Sequence, residues 1–230
     1  MNFRSYLDKI LLDDNVVEKF HEEYKDGTEF KNYLNKVLPE IQECEKQQQN
    51  NPWHKYNVLD HILHSVEAMN KQTKNLPEKD RIILVYTMLM HDIGKPETHI
   101  TRMKKGVEID SFFNHNKAGV AIVERALPNL GFSEKETKII SKLVDKHDIF
   151  MFIQTGDTPN PHHRKLDNKL INKEIKDLNE VGNGEELLKY LVMVGRSDNL
   201  AQNEKMTGPS LKMLDKFDEM LEMRNQMGME

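Results

Sequence analysis

IILVYTMLMHDIGK, residues 82–95, carries a run of apolar side chains straight into an adjacent His91-Asp92 pair. Nearly every position from Ile82 to Met90 is hydrophobic, so the helix they form is enclosed on most sides rather than amphipathic. Enclosure makes an uncompensated polar pair at its end expensive, and a metal ion would compensate it. Gly94 suits a helix C-cap, Lys95 places a cation beside the pair, and Pro96 keeps the helix from continuing.

Further ligand-type residues fall at or near helices with an apolar face. His61 lies in VLDHILHSVEAM, His115 opens HNKAGVAIVERAL, His147 ends KIISKLVDKH, and Asp198 sits in VGRSDNLAQN. All of them can point inward at one place. Imidazole and carboxylate together suit Mn, Fe, Co, Ni or Zn better than Ca, which prefers an all-oxygen shell.

The order His61, His91-Asp92, Asp198 resembles the signature of the HD-domain metal-dependent phosphohydrolases. NPWHKYNVLDHILHS, HDIGKPET, FFNHNKAGVAIVERAL and RSDNLAQN are similar, in order, to the HD domain appended to bacterial tRNA nucleotidyltransferases, over about residues 50–204. The resemblance implies an all-α HD helical bundle and a divalent transition metal held by His61, His91, Asp92 and Asp198. Those four would leave coordination positions open for water and substrate, as a catalytic site requires. By the two-metal branches of the superfamily, His115 and His147 would hold a second ion, with Asp92 bridging. With one ion, the same two histidines would bind phosphate or move protons.

The implied activity is hydrolysis of phosphate esters on a small phosphorylated substrate, nucleotide phosphomonoesters or 2′,3′-cyclic phosphodiesters, with Asp92 and Lys95 catalytic. Lys95 would meet a phosphoryl oxygen, or in the plainer reading cap a helix end. Arg196 would reach phosphate with its fork of donors, or pair with a surface carboxylate. His64 reads as helix packing, His54 as packing against Trp53, and His147-Asp148 as the weaker of two His-Asp pairs because its helix is amphipathic. The segment before residue 50 is too short for a nucleotide-transferring domain, which argues against nucleotide addition to tRNA. Two other classes use the same frame: a mixed-valent di-iron oxygenase, and a non-catalytic signalling or scaffold domain.

At 230 residues the chain can bury one substantial core, and one HD domain over 1–230 is expected, with N-terminal helices and a C-terminal helix flanking the core. A net charge of -5 argues against bulk nucleic-acid binding, although Arg102, Lys104 and Lys105, and again HHRK at 162–165, form local basic patches that could guide an anionic substrate. The single Cys44 excludes an internal disulfide and fits a reducing cytoplasm. Neither a signal peptide nor a membrane-length apolar run is visible.

Helices are expected near residues 2–13, 28–48, 57–75, 78–92, 115–130, 134–147, 166–180, 185–202 and 209–227. Ser133 and Glu136 form a capping-box pattern. THITRMKKGVEIDSFF, residues 98–113, alternates around Lys-Lys-Gly and predicts a β-hairpin at the site entrance. QTGDTPNPHHRK, residues 154–165, reads as a mobile loop at the site rim, and QQQNN, 47–51, as a helix end and linker.

Overall fold

The computed structural model describes residues 2–155 and 160–226. Its centre is α6 (Glu78–Met90), buried at every position from Ile82 to Met90 as the unbroken apolar run requires. Around it pack α5 (Val58–Thr73), α8 (Glu134–Lys146) and α10 (Gly184–Leu200), while α7 (His115–Asn129) packs along α8. Four shorter helices precede this group: α1 (Phe3–Leu11), α2 (Val16–Glu23), α3 (Glu29–Val37) and α4 (Glu40–Lys46). Later, α9 (Asn168–Leu178) and α11 (Glu204–Gln226) flank α10. Buried side chains from Leu7 to Leu221 join one apolar cluster, and among the described residues the fold is all-α apart from one hairpin.

Local chemistry explains most helix ends. Asn57 starts α5 by accepting from the Asp60 amide at 2.7 Å. Ser133 and Glu136 form the full capping box of α8. Three boundaries differ from expectation. The helix expected over 28–48 breaks at Leu38, because a residue before proline is driven out of the helical region, and Leu38 has φ −135° and ψ 67°. A helix at Val16–Glu23 was not anticipated. The last helix starts at Glu204 rather than at Pro209, because Asn203 accepts from the Lys205 amide there.

The hairpin forms as expected: β1 (His99–Lys104) pairs antiparallel with β2 (Val107–Phe112). Lys105 and Gly106 turn it, both with positive φ. Its inner edge is tied to the chain after α4, since Asn50 N–H donates to Asp110 Oδ2 at 2.8 Å and Asp110 N–H to the Asn50 carbonyl at 3.1 Å. Of the loop at 154–165, residues 156–159 lie outside the described residues, so the expected mobile rim is not described there. The two ends of that loop meet, with Gln154 N–H donating to the Arg164 carbonyl at 2.9 Å.

Gly94 does not serve as the expected left-handed C-cap, for its φ is not positive. It is needed for close approach: a Cβ there would overlap the His115 carbonyl oxygen, the Gly119 nitrogen and the Ala118 Cβ. The absence of a side chain lets the start of α7 sit directly on the His91-Asp92 turn. Gly94→Ala is therefore expected to cost about 1–3 kcal/mol, the usual range for overpacking a tight contact. A thermal melt should show it as a drop of several degrees, and an unchanged melting temperature would mean that α7 yields without cost.

Candidate metal centre

Distant parts of the chain deliver six ligand-type residues to one place. His61 comes from α5, His91 and Asp92 from the turn that ends α6, His115 from the first position of α7, His147 from the end of α8, and Asp198 from the last turn of α10. His61, His91, Asp92 and Asp198 each offer an atom within 4.8 Å of the others, and so do Asp92, His115 and His147. Asp92 belongs to both groups.

The Asp92 carboxylate is divided between them. Its Oδ2 lies 3.1 Å from His61 Nε2 and 3.3 Å from His91 Nε2. Its Oδ1 lies 3.2 Å from His115 Nε2 and 3.7 Å from His147 Nε2. Asp198 Oδ1 completes the first group at 3.0 Å from His61 Nε2, and the Gln202 side chain donates to that oxygen at 3.1 Å.

Backbone carbonyls set the tautomers of three of the four histidines. Nδ1–H donates to the Met88 carbonyl in His91 (2.7 Å), to Phe112 in His115 (2.8 Å) and to Val144 in His147 (2.7 Å). A neutral ring held this way turns the Nε2 lone pair inward, the arrangement that orients metal-ligating imidazoles. His91 Nε2 faces His61 Nε2 at 3.3 Å, and His115 Nε2 faces His147 Nε2 at 3.1 Å. In the His115–His147 pair both Nδ1–H groups are spent on carbonyls, so two lone pairs face each other there and need a cation between them, a proton or a metal ion. The donor set fits a divalent transition metal.

Electrostatics point the same way. Burial opposes charge on His91, yet the carboxylates of Asp92 and Asp198 override it and hold its pKa up to about 10. Burial likewise opposes ionisation of Asp92, but His91 and Lys95 keep it well below the usual carboxylate range. Asp198 is held well below that range against its own burial by His61 and His91. For His147, burial is outweighed by Asp148 and Asp92, and its pKa is raised.

Lys95 stands beside the first group, with Nζ 2.6 Å from Asp92 Oδ2 and 2.8 Å from Gln49 Oε1. A weaker contact at 3.5 Å reaches His54 Nε2. It does not cap α6. Arg196 turns away from the centre to Asp215 and Asp218 of α11, at 2.7 and 2.8 Å, because residues two apart on a helix face nearly opposite sides and Asp198 takes the inward one. His64 also faces elsewhere, stacked on Tyr56 with ring centroids 4.2 Å apart.

Three neighbours were not assigned to the site by sequence reasoning. Gln49, in the supposed linker, is buried and holds Lys95. His54 packs edge-on against His61 at 4.9 Å rather than against Trp53, and burial, with Lys95 and His61 adding to it, pushes its pKa down to about 2. Asp148 flanks the second group, 3.3 Å from His115 Nε2 and 3.4 Å from His147 Nε2. Asp148 had a signal in its adjacency to a histidine, and His54 in its place within NPWHKYN, just before the first ligand helix.

The HD-domain family model matches residues 58–202, from the first residue of α5 to just beyond Asp198. The chain belongs to the HD-domain family. All six ligand-type residues fall inside the HD span, while α1–α4 and α11 lie outside it. The chain is also similar to the A-adding tRNA nucleotidyltransferase of Deinococcus radiodurans, at 27% identity over 190 residues. That match covers 83% of this chain and 37% of the relative, so the chain spans little more than a third of that protein's length.

A pH dependence follows from His91. With its pKa near 10, the metal-free HD centre holds a proton on this ring through neutral pH, and a ligating metal must displace it. Affinity for a divalent ion should therefore tighten as pH rises towards 10, by up to about tenfold per unit for each proton released. The same shift favours the metal-free fold fully below the ordinary histidine pKa of about 6.5, and that contribution is lost as pH rises through about 10. Calorimetry with Co(II) in buffers of different ionisation enthalpy would count the protons, and an affinity flat from pH 6 to 8 would contradict the assignment.

Proposed function

We propose that this HD-domain protein is a metal-dependent phosphohydrolase acting on phosphate esters, and specifically on nucleotide phosphomonoesters or 2′,3′-cyclic phosphodiesters. The observation that carries the reading is the division of Asp92, whose two oxygens each face a different pair of Nε2 atoms. That division favours two ions of the Mn, Fe, Co, Ni or Zn type: one held by His61, His91, Asp92 and Asp198, the other by Asp92, His115 and His147. Bound divalent ions would supply Lewis acidity towards a phosphoryl oxygen and a more acidic water.

The chain's own residues do the rest. Lys95 holds Asp92 ionised and in place with one short contact and is itself held by Gln49 with another. Its third N–H, only loosely engaged by His54, is free to turn to a phosphoryl oxygen. His54, kept neutral, leaves Lys95 the local positive charge. Asp148 stands beside His115 and His147 and orients both rings. Support for a nucleotide substrate comes from the relative, which is named a nucleotidyltransferase. The continuous core supports taking 1–230 as one HD unit. Among the described residues no helix is long and apolar enough to cross a membrane, and the lone buried Cys44 suits a cytoplasmic location.

Metal removal should abolish hydrolysis of both p-nitrophenyl phosphate and a 2′,3′-cyclic nucleotide, and readdition should restore it without any need for oxygen. Turnover that requires oxygen and two irons would mark a di-iron oxygenase instead. Asp92→Ala should lose metal and activity together, and a variant retaining both would remove Asp92 from the ligand set. Lys95→Ala should keep its metal and lose roughly a hundredfold in turnover, comparable to removing one oxyanion donor. A rate within about twofold of the parent would restrict Lys95 to holding Asp92, since one good donor is worth much more than that.

A further inference from the structure

The hairpin has two chemically different faces. Residues opposite one another in an antiparallel pair share a face, and alternate residues along each strand do the same. His99, Thr101 and Met103, with their partners Phe112, Asp110 and Glu108, form the inner face. Its base is engaged with the molecule, since Asp110 Oδ2 accepts from the Asn50 amide at 2.8 Å and the Phe112 ring lies 5.4 Å from Lys95 Nζ, while Met103 near the tip is 67% exposed. The outer face carries Ile100, Arg102 and Lys104 with Ser111, Ile109 and Val107. Phe113 continues the alternation past β2, and the Arg102 guanidinium stands over its ring at 4.7 Å.

Both carboxylates of the two strands, Glu108 and Asp110, are on the inner face. The outer face of a chain with net charge -5 thus has two cations and no anion. Among the described residues neither Arg102 nor Lys104 has a carboxylate partner. Around them Ile100, Val107 and Phe113 are 44%, 62% and 56% exposed. Cations without a carboxylate partner, set among exposed apolar side chains that include the flat Phe113 ring, match what a single-stranded polynucleotide offers, phosphates alternating with unpaired bases.

We infer that the outer face of this hairpin binds a single-stranded polynucleotide and leads its end to the metal centre. Arg102 and Lys104 take backbone phosphates, and a base stacks on the open side of Phe113. Phe113 is two residues from His115, at most about 7 Å of chain, so a base seated there brings the adjoining phosphate to the centre. A lipid surface would take the same charges and apolar groups, but it would not use a deep polar centre at the foot of the ribbon. The inference deepens the phosphohydrolase reading by naming a substrate class. It rests on that reading only for what happens at the strand's end.

The test uses the full chain and a dye-labelled phosphorothioate hexanucleotide, single-stranded and as a duplex, followed by fluorescence anisotropy at several salt concentrations. The single strand should bind about tenfold or more tighter than the duplex, whose bases are already stacked. Arg102→Glu with Lys104→Glu should weaken binding at least tenfold and flatten the salt dependence by roughly 0.7 in log–log slope per lost contact. Phe113→Ala should weaken it roughly tenfold with the salt slope unchanged. All three side chains are exposed, so the variants should keep the parent's melting temperature and metal content. Equal binding of strand and duplex, or undiminished binding by the charge-reversed variant, would overturn the inference. So would a Phe113-dependent dimer, or capture by phosphatidylserine vesicles, in a protein that does not bind the strand. A protein that binds the strand but hydrolyses no ester would retain this surface and lose the phosphohydrolase reading.

Discussion

A nearly inaccessible carboxylate, Asp92 at 2% exposure, must be compensated on both oxygens, and the architecture of the centre depends on how that is done. A buried charge left unpaired costs several kcal/mol, a large share of a domain's net stability. Imidazoles from α5 and α6 and the Lys95 ammonium meet one oxygen, and imidazoles from α7 and α8 meet the other. Lys95 is buried as well and needs its own acceptor, which Gln49 provides. Gln49 in turn belongs to a segment pinned through Asn50 to Asp110 of the hairpin. One buried charge thereby connects the HD helices, the chain after α4 and the hairpin.

The helices outside the HD match brace the helices that carry ligands. In α2, His21 Nε2 lies 2.7 Å from Asp60 Oδ1, the neighbour of His61 on the outer side of α5. The Asn70 side chain, further along α5, donates to the Leu11 carbonyl at 2.7 Å. Tyr86 of α6 donates to Asp8 of α1 at 2.8 Å. On the far side, Arg196 fastens α10 to α11 through two carboxylates. These contacts fall on α5, α6 and α10, which supply four of the six ligand-type residues. A metal centre gathered from separate helices needs each helix held in translation as well as in tilt, because a small slip moves an Nε2 atom out of reach.

Much of this was legible in the chain. The apolar run before His91 marked a fully buried helix, Ser133 and Glu136 marked a helix start, and alternation around Lys-Lys-Gly marked the hairpin. The order of His61, His91-Asp92 and Asp198 marked the HD family. Two of the misreadings at the centre share a cause. Gly94 looked like a cap because glycine often ends helices, yet it serves the approach of α7, 21 residues further on at its nearest overlap with His115. Gln49 looked like linker because nothing within a few residues of it indicates Lys95.

The sequence by itself determined most of the longer helices, the capping box of α8, the hairpin turn and the kinds of donor atom available, because each depends on interactions within one or two turns of chain. Only the tertiary structure decided that Asp92 faces two histidine pairs at once, that Asp148 joins the second pair, and that Gln49 reaches Lys95. Those outcomes depend on the packing of helices separated by up to 137 positions, from His61 to Asp198, where the angle of one element sets the reach of a side chain on another. Local pattern carries no information about that angle.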